Sequence, residues 1–251
     1  MLWFPIVKEV IARQITAGSQ LVIALDRTQW KKYNVLMVSA IVQKRAFPIF
    51  WTLLDKHGAS NLVEQQQVLR PVIRLLKRYK LVMVGDRKFH SRELAQWLHS
   101  QHLSLVLRQK CNTPFREKRQ PFQSLDTIPI EAGIRLFYQK ISFTQKPGFS
   151  RFNLAAYWNK KYRGKQEYEP WYLLTNLPSL KSAIGVYRQR YGIEAIFKDC
   201  KTGGYNLEGC QASPDQLISL RILIALAMTS AWLPGKRTQL QGQEKYVCRP
   251  Q

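Results

Sequence analysis

The chain has 251 residues, 45% of them apolar, so it is long enough and apolar enough to bury a sizeable core and is not a disordered segment. Thirty-nine Lys and Arg against 16 Asp and Glu leave a net charge of +23, a self-repelling excess that points to a polyanionic partner, nucleic acid before an anionic membrane surface. The most apolar stretch, 217–233, is short for a bilayer span and is interrupted by Ser219, Arg221, Thr229 and Ser230. No charged-then-apolar leader opens the chain, and the four cysteines lack the Cys-x-x-Cys spacing of a zinc knuckle. These features lead to the expectation of a soluble, cytoplasmic protein that handles nucleic acid and has no membrane partner.

In chain order, residues 1–20 read as a residual helix built on Ile6, Val7, Val10 and Ile11. Three runs rich in β-formers follow at 21–25, 33–42 and 47–54, joined by short polar links, and are predicted as neighbouring antiparallel strands. Helical spacing of Leu62, Val68, Leu69, Val72, Ile73, Leu75 and Leu76 predicts a helix over 61–79, with Pro71 inside it as a kink. The wholly apolar run 81–85 reads as a strand buried on both faces, Ser91 as the cap of a helix carrying Leu94, Trp97 and Leu98, and 103–107 as a further strand. Three strands, helix, strand, helix, strand is the order of a ribonuclease-H-like fold, an α/β architecture in which a mixed sheet is flanked by helices and sites sit at strand ends.

The pattern changes over 111–170. Helical periodicity stops, and 135–143 and 152–158 alternate apolar with polar or basic residues, as expected of a β-rich insertion. A strand at 171–175, a turn at 176–179, one long helix over 180–201 and a last apolar helix over 214–232 complete the chain, followed by a basic tail. The expected organisation is therefore a residual helix (1–20), a first core segment (21–110), the insertion (111–170), a second core segment (171–233) and the tail (234–251).

In so basic a chain, acids at the ends of apolar strands stand out. Asp26 closes Leu-Val-Ile-Ala-Leu-Asp-Arg-Thr, and Asp86 closes Leu-Val-Met-Val-Gly-Asp-Arg. A carboxylate there is costly to desolvate unless it is paired, capping a helix or bound to a cation. Each has an arginine directly after it that could neutralise it; two acids in one context favour a shared metal site. On the helix over 180–201, Tyr187, Arg190, Glu194 and Lys201 fall within an arc of about 60°. Val186, Ile193, Ile196, Phe197 and Cys200 share the adjoining arc. The first group would line a cleft, or form a solvated face with an internal ion pair.

Tyr187, Arg190, Glu194 and Lys201 have the spacing of the YREK signature, and the sequence here resembles the DDE transposases of that insertion-sequence branch (the IS-four family). Leu-Asp-Arg-Thr-x-Trp around Asp26, Gly-Asp-Arg-x-Phe around Asp86 and Trp-Tyr-Leu-Leu-Thr-Asn-Leu from Trp171 add to the likeness, which covers roughly residues 21–232. The resemblance implies that Asp26, Asp86 and Glu194 are a catalytic triad on a ribonuclease-H-like core interrupted by a β-rich insertion before the third acid. It implies that they hold two Mg²⁺ ions, with Mn²⁺ as a substitute, for in-line displacement at phosphorus. It further implies that Tyr187, Arg190 and Lys201 grip phosphates, that Trp171 stacks on an everted base, and that the chain acts on element ends and target DNA, as a homodimer, in a prokaryotic cytoplasm close to the nucleoid. Family members usually carry a substantial end-binding domain before the first acid, and only 25 residues precede Asp26. A truncated or split reading frame is therefore expected, with a non-catalytic regulator of a full-length transposase as the alternative function.

Overall fold

A computed structural model describes residues 3–30, 33–43, 45–160 and 168–201 and, further on, 211, 213, 216, 219–220, 222–227 and 229–230. The chain divides into two units, Met1–Ile196 and Phe197–Gln251.

The first unit is built on one eight-stranded mixed sheet. Its elements are α1 (Trp3–Ala12), β1 (Gln20–Trp30), β2 (Tyr33–Val42), β3 (Arg45–Leu54), α2 (Leu62–Leu75), β4 (Lys80–Gly85), α3 (Arg92–Ser100) and β5 (Ser104–Arg108). Then come β6 (Pro114–Phe115), β7 (Gln123–Ser124), β8 (Arg135–Ile141), β9 (Phe152–Tyr157), β10 (Trp171–Thr175), α4 (Leu180–Arg188) and α5 (Tyr191–Lys201), the last of which runs on into the second unit. The sheet order is β3-β2-β1-β4-β5-β10-β9-β8. β1, β4 and β5 are parallel, and every other neighbouring pair is antiparallel. The parallel trio forms the middle of the sheet, which is why Leu21–Leu25 and Leu81–Gly85 are apolar without alternation: both faces are covered.

The antiparallel meander over residues 20–54 lies where the pattern predicts it. The insertion does not stand apart as a β unit of its own. β8 and β9 extend the main sheet beyond β10, and the two-stranded pair β6–β7 is all that lies outside it among the described residues. β10 is locked to β5 by side chains that replace ladder bonds: Asn176 Oδ1 accepts from Leu105 N–H, its amide donates to Leu103 O, and Thr175 Oγ1 donates to Leu105 O.

Helix starts follow capping chemistry. Asn61 and Glu64 form a reciprocal capping box at α2, Ser91 Oγ accepts from Leu94 N–H, and Ser179 Oγ accepts from Ser182 N–H. α2 runs through Pro71 but ends at Leu75, earlier than the apolar pattern suggests. α1 is not an isolated remnant: Trp3 and Phe4 pack on Phe47 and Phe50 of edge strand β3, with ring centroids 5.5 and 6.1 Å apart.

The single helix expected over 180–201 is two. It breaks at Gln189–Arg190, where Gln189 N–H, Arg190 N–H, Gly192 N–H and Ile193 N–H all bond three residues back rather than four. Such tight turns end a helix and restart it on a new axis, so a constant 100° per residue does not carry across the break. In the second unit, Ser213 and Gln216 cap each other reciprocally, and the described positions from Gln216 to Ser230 are helical. The basic tail (234–251) and residues 161–167 of the insertion lie outside the described residues. Among the described residues no helix is long and apolar enough to cross a membrane.

Candidate active site

β1 and β4 pair in parallel, about 4.8 Å apart, with Leu25 opposite Gly85; β4 ends there and Asp86 is the next residue, whereas β1 runs on to Trp30, so Asp26 lies within its strand and does not close it as the apolar run suggested. Asp26 is buried, 4% exposed. Its Oδ1 accepts from the N–H of Arg27 at 2.7 Å. Asp86 caps the short 3-10 turn Arg87–Phe89, its Oδ1 accepting from Lys88 N–H at 2.8 Å. The turn depends on Gly85: a Cβ there would lie 2.9 Å from Phe89 Cβ and 3.1 Å from Leu107 Cδ2, so Phe89 can fold back over the strand end only above a glycine. Burial, and then the charge of Asp86, raise the Asp26 carboxyl to about 6, with Arg190, the Arg27 N–H and Lys88 pulling the other way.

The arginines that follow each acid do not neutralise it. Arg27 donates to Asn34 Oδ1 at 3.0 Å, and Asn34 is itself held by its amide on the carbonyls of Lys56 and Gly58. Arg87 pairs with Glu169, which also binds Arg108 at 2.9 Å. Both guanidinium groups are thus committed elsewhere, so neither acid pairs with the arginine after it, while Asp86 does serve as a cap.

The cation that does reach Asp26 is Arg190, at the break before α5. Its Nη1 lies 3.3 Å from Asp26 Oδ2 and its Nη2 lies 2.5 Å from Glu194 Oε1. One guanidinium spans the two acids, which holds their oxygens within about 8 Å of each other. Burial opposes the charge on Arg190, but Tyr187, Glu194 and Asp26 outweigh it and hold the group firmly protonated.

The expected phosphate-gripping face is not laid out as the helical arc implied. Val186, Ile193 and Ile196 are buried as that arc requires, but so is Tyr187. Burial raises the Tyr187 pKa, against the charges of Arg190 and Arg108. Near the end of α4 the Tyr187 side chain is buried with Ala183, Ile184 and Val186, and it cannot meet a phosphate without opening the core. Trp171 is likewise a core aromatic, 3% exposed and packed edge-on against Tyr157 (5.8 Å) and Tyr187 (5.0 Å). An indole held this way has no open face for a base. Lys201 ends α5, two turns beyond Glu194, and falls in the second unit.

By type these side chains suit a hard divalent cation. Asp26 and Asp86 are adjacent oxygen donors whose mutual repulsion a cation would relieve. Glu194 is not gathered with them: among the described residues no group of three or more His, Cys, Asp or Glu side chains is placed to hold a metal ion. The expected convergence of three acids is therefore a pair plus a third acid kept across the Arg190 guanidinium. Glu169, Asn34 and Lys88 carry parts of the site that the motif pattern did not mark, whereas Gly85 opens the Gly-Asp-Arg-x-Phe motif. The scarcity of acids could have flagged Glu169, but nothing local names its partners.

The sequence matches the family described as Transposase DDE domain over residues 19–230. The chain belongs to that family. No curated protein sequence matches it. Among solved structures it is similar to a piggyBac transposase in a synaptic complex with hairpin DNA, with a TM-score of 0.50 and 16% identity, covering 84% of this chain. This chain spans 46% of the length of that one, and at such identity the likeness shows the fold, which is ribonuclease-H-like. An endonuclease V from Bacillus subtilis is more distant, with a TM-score of 0.30 and 12% identity over 75% of this chain and 80% of that one, a likeness that bears no argument.

Proposed function

We propose that this transposase domain is an active catalytic core that cuts DNA strands at insertion-sequence ends and joins them to target DNA, and that it belongs to the YREK-signature branch. The observation that carries the reading is the pair Asp26 and Asp86, on neighbouring positions of the parallel β1–β4 pair where β4 ends, with both following arginines diverted to Asn34 and Glu169. The charge of Asp86 acts against that of Asp26 across this pair, a repulsion that a bound cation would relieve.

In this reading Asp26, Asp86 and Glu194 hold Mg²⁺ (two ions, with Mn²⁺ as a substitute), whose chemistry when bound is to polarise a scissile phosphate and to acidify water or a DNA 3′-hydroxyl. The protein's own part is placement. The register of β1 against β4 fixes two carboxylates before any ligand arrives, and Gly85 and the Lys88 N–H set the Asp86 rotamer. Arg190 stands between Asp26 and Glu194, where it can turn a bidentate donor to a phosphodiester. The net charge of +23 supports DNA as the partner. The piggyBac neighbour is a complex with hairpin DNA, and a hairpinned end is the form of product proposed here. Action as a homodimer on DNA, in the cytoplasm of a prokaryote, completes the proposal.

The test is strand cleavage of duplex DNA carrying the element ends, with Mg²⁺ or Mn²⁺, by wild type and Glu194→Gln. Metal-dependent nicking at the ends that is lost in the variant supports the enzyme. Inhibition of a full-length transposase with no cleavage would mark the regulator instead, and cutting of arbitrary DNA at equal rates a nuclease without element specificity.

A further inference from the structure

Arg190 is buried, 7% exposed, yet only its two terminal nitrogens are engaged, one on Asp26 and one on Glu194; its Nε has no partner. The guanidinium carbon lies 5.6 Å from the ring centroids of both Tyr187 and Tyr191, so the group is packed in place rather than swinging in solvent. It sits at the break between α4 and α5, the one point on that stretch where the helical ladder is interrupted. Arg27 and Arg87 are both tied to other residues, so among the described residues Arg190 is the arginine in contact with Asp26 and Glu194, with Lys88 adding a weaker pull on Asp26. Glu194 is kept on the far side of that group, and no three-acid cluster forms among the described residues.

We propose that Arg190 is the resident counter-ion of the metal-free site: its guanidinium holds Asp26 and Glu194 apart, and a DNA phosphodiester must draw it off before the third acid can join the other two around a divalent cation. The inference rests on the reading of Asp26, Asp86 and Glu194 as metal ligands. A guanidinium on Asp26 Oδ2 and Glu194 Oε1 already supplies positive charge at those oxygens, so it competes there with a divalent cation. A phosphate oxyanion offers Arg190 the same fork of two acceptors that the acids now give it, with the idle Nε as a further donor. Cation binding and phosphodiester binding are then coupled: each raises the affinity for the other by the same factor. Without DNA the acids remain occupied by the protein's own cation, which suppresses metal-dependent chemistry on water.

The test is Mn²⁺ binding to the full chain, followed by calorimetry and by the loss of the free-ion electron paramagnetic resonance signal, with and without a short blunt-ended duplex. Without DNA, Arg190→Gln is expected to bind Mn²⁺ about tenfold more tightly than wild type. With DNA, wild type gains about tenfold and the variant less than about twofold. Arg190→Lys, which keeps the charge but not the fork, falls between them and serves if the glutamine variant does not fold. Lys88→Gln removes a charge that also acts on Asp26 but does not bridge the acids, and it shifts the affinity by about twofold at most. Equal Mn²⁺ affinity in wild type, Arg190→Gln and Arg190→Lys, or an effect of Lys88→Gln as large as that of Arg190→Gln, overturns the counter-ion role. In that event, Mn²⁺ binding that is still lost in Asp26→Asn and Asp86→Asn leaves the metal reading standing, whereas binding that survives both removes the reading itself.

Discussion

Asp26 lies within β1 and Asp86 directly follows its parallel partner β4, and each has one carboxylate oxygen fixed by a backbone N–H, whereas Glu194, its side chain 48% exposed, stands on a helix that begins after a break and is held by one guanidinium. The first two acids are placed by sheet register, which is set once the core closes. The third is placed by a side-chain bridge that a ligand can replace. A site divided this way has a rigid half that is costly to alter and a conditional half that responds to charge.

The comparison is sharpened most by removing the acids one at a time. Asp86→Asn is expected to lower DNA nicking by roughly 10³-fold with the fold intact, because a carboxamide of the same shape keeps the cap on Lys88 but loses the charge. Glu194→Gln should fall as far in cleavage while leaving Mn²⁺ binding in the absence of DNA nearly unchanged, since that acid is not gathered with the pair. Equal loss of Mn²⁺ binding in both variants would break the distinction between the two halves.

The next effect is on stability. The Asp26 carboxyl, raised from 3.8 to about 6 in the fold, holds its proton more tightly folded than unfolded. Its contribution is therefore fully present below about pH 3.8 and is lost as pH rises through about 6, which amounts to no more than about 3 kcal/mol. Asp26→Asn should accordingly gain stability relative to wild type between about pH 4 and pH 7 in denaturant titrations while it loses cleavage. A flat difference across that range would show that burial and the neighbouring charge of Asp86 do not raise the Asp26 carboxyl in the fold.

Gly85→Ala tests the rigid half through its backbone. The added methyl meets Phe89 Cβ and a Leu107 methyl group, so a destabilisation of about 1–3 kcal/mol is expected in the same titrations, together with weaker Mn²⁺ binding as the Asp86 turn shifts. The smallest effect belongs to Glu169→Ala. It frees Arg87 and Arg108, both bound to a part-exposed carboxylate, and should cost about 1 kcal/mol or less in stability. Its signature is weaker Mn²⁺ binding by a few-fold, as Arg87 becomes available to Asp86; no change in that affinity would show that Glu169 does not hold the arginine away.

The rigid half was legible in the sequence because its signals are local. A wholly apolar run ending in aspartate fixes both a doubly buried stretch of strand and a carboxylate directly after it, and two such runs imply neighbours. The meander over 20–54 and the strand order of the core follow from pattern and short links. What could not be read was long-range or conditional. Nothing near Arg87 says that it binds Glu169, 82 residues away. Trp171 carries an apolar ring that suits a core or a base equally well, and only the rings of Tyr157 and Tyr187 decide for the core. The break at Gln189–Arg190 has no proline to announce it, so the helical arc was carried past the point where the axis changes, while Tyr187, near the end of α4, is buried with Ala183, Ile184 and Val186. Residues 111–170 read as β-rich from their alternation, and nothing local says that two of their strands join the main sheet beyond β10.

The most direct test of the central claim, that Asp26 and Asp86 form one cation-holding pair, is a Mn²⁺ titration of the full chain at about pH 5 and about pH 7, with Asp86→Asn alongside. The account predicts that wild type binds Mn²⁺ markedly more tightly at the higher pH, because the ion must replace the proton that Asp26 retains up to about 6, and that Asp86→Asn abolishes the binding. Mn²⁺ affinity that is independent of pH and intact in Asp86→Asn would contradict it.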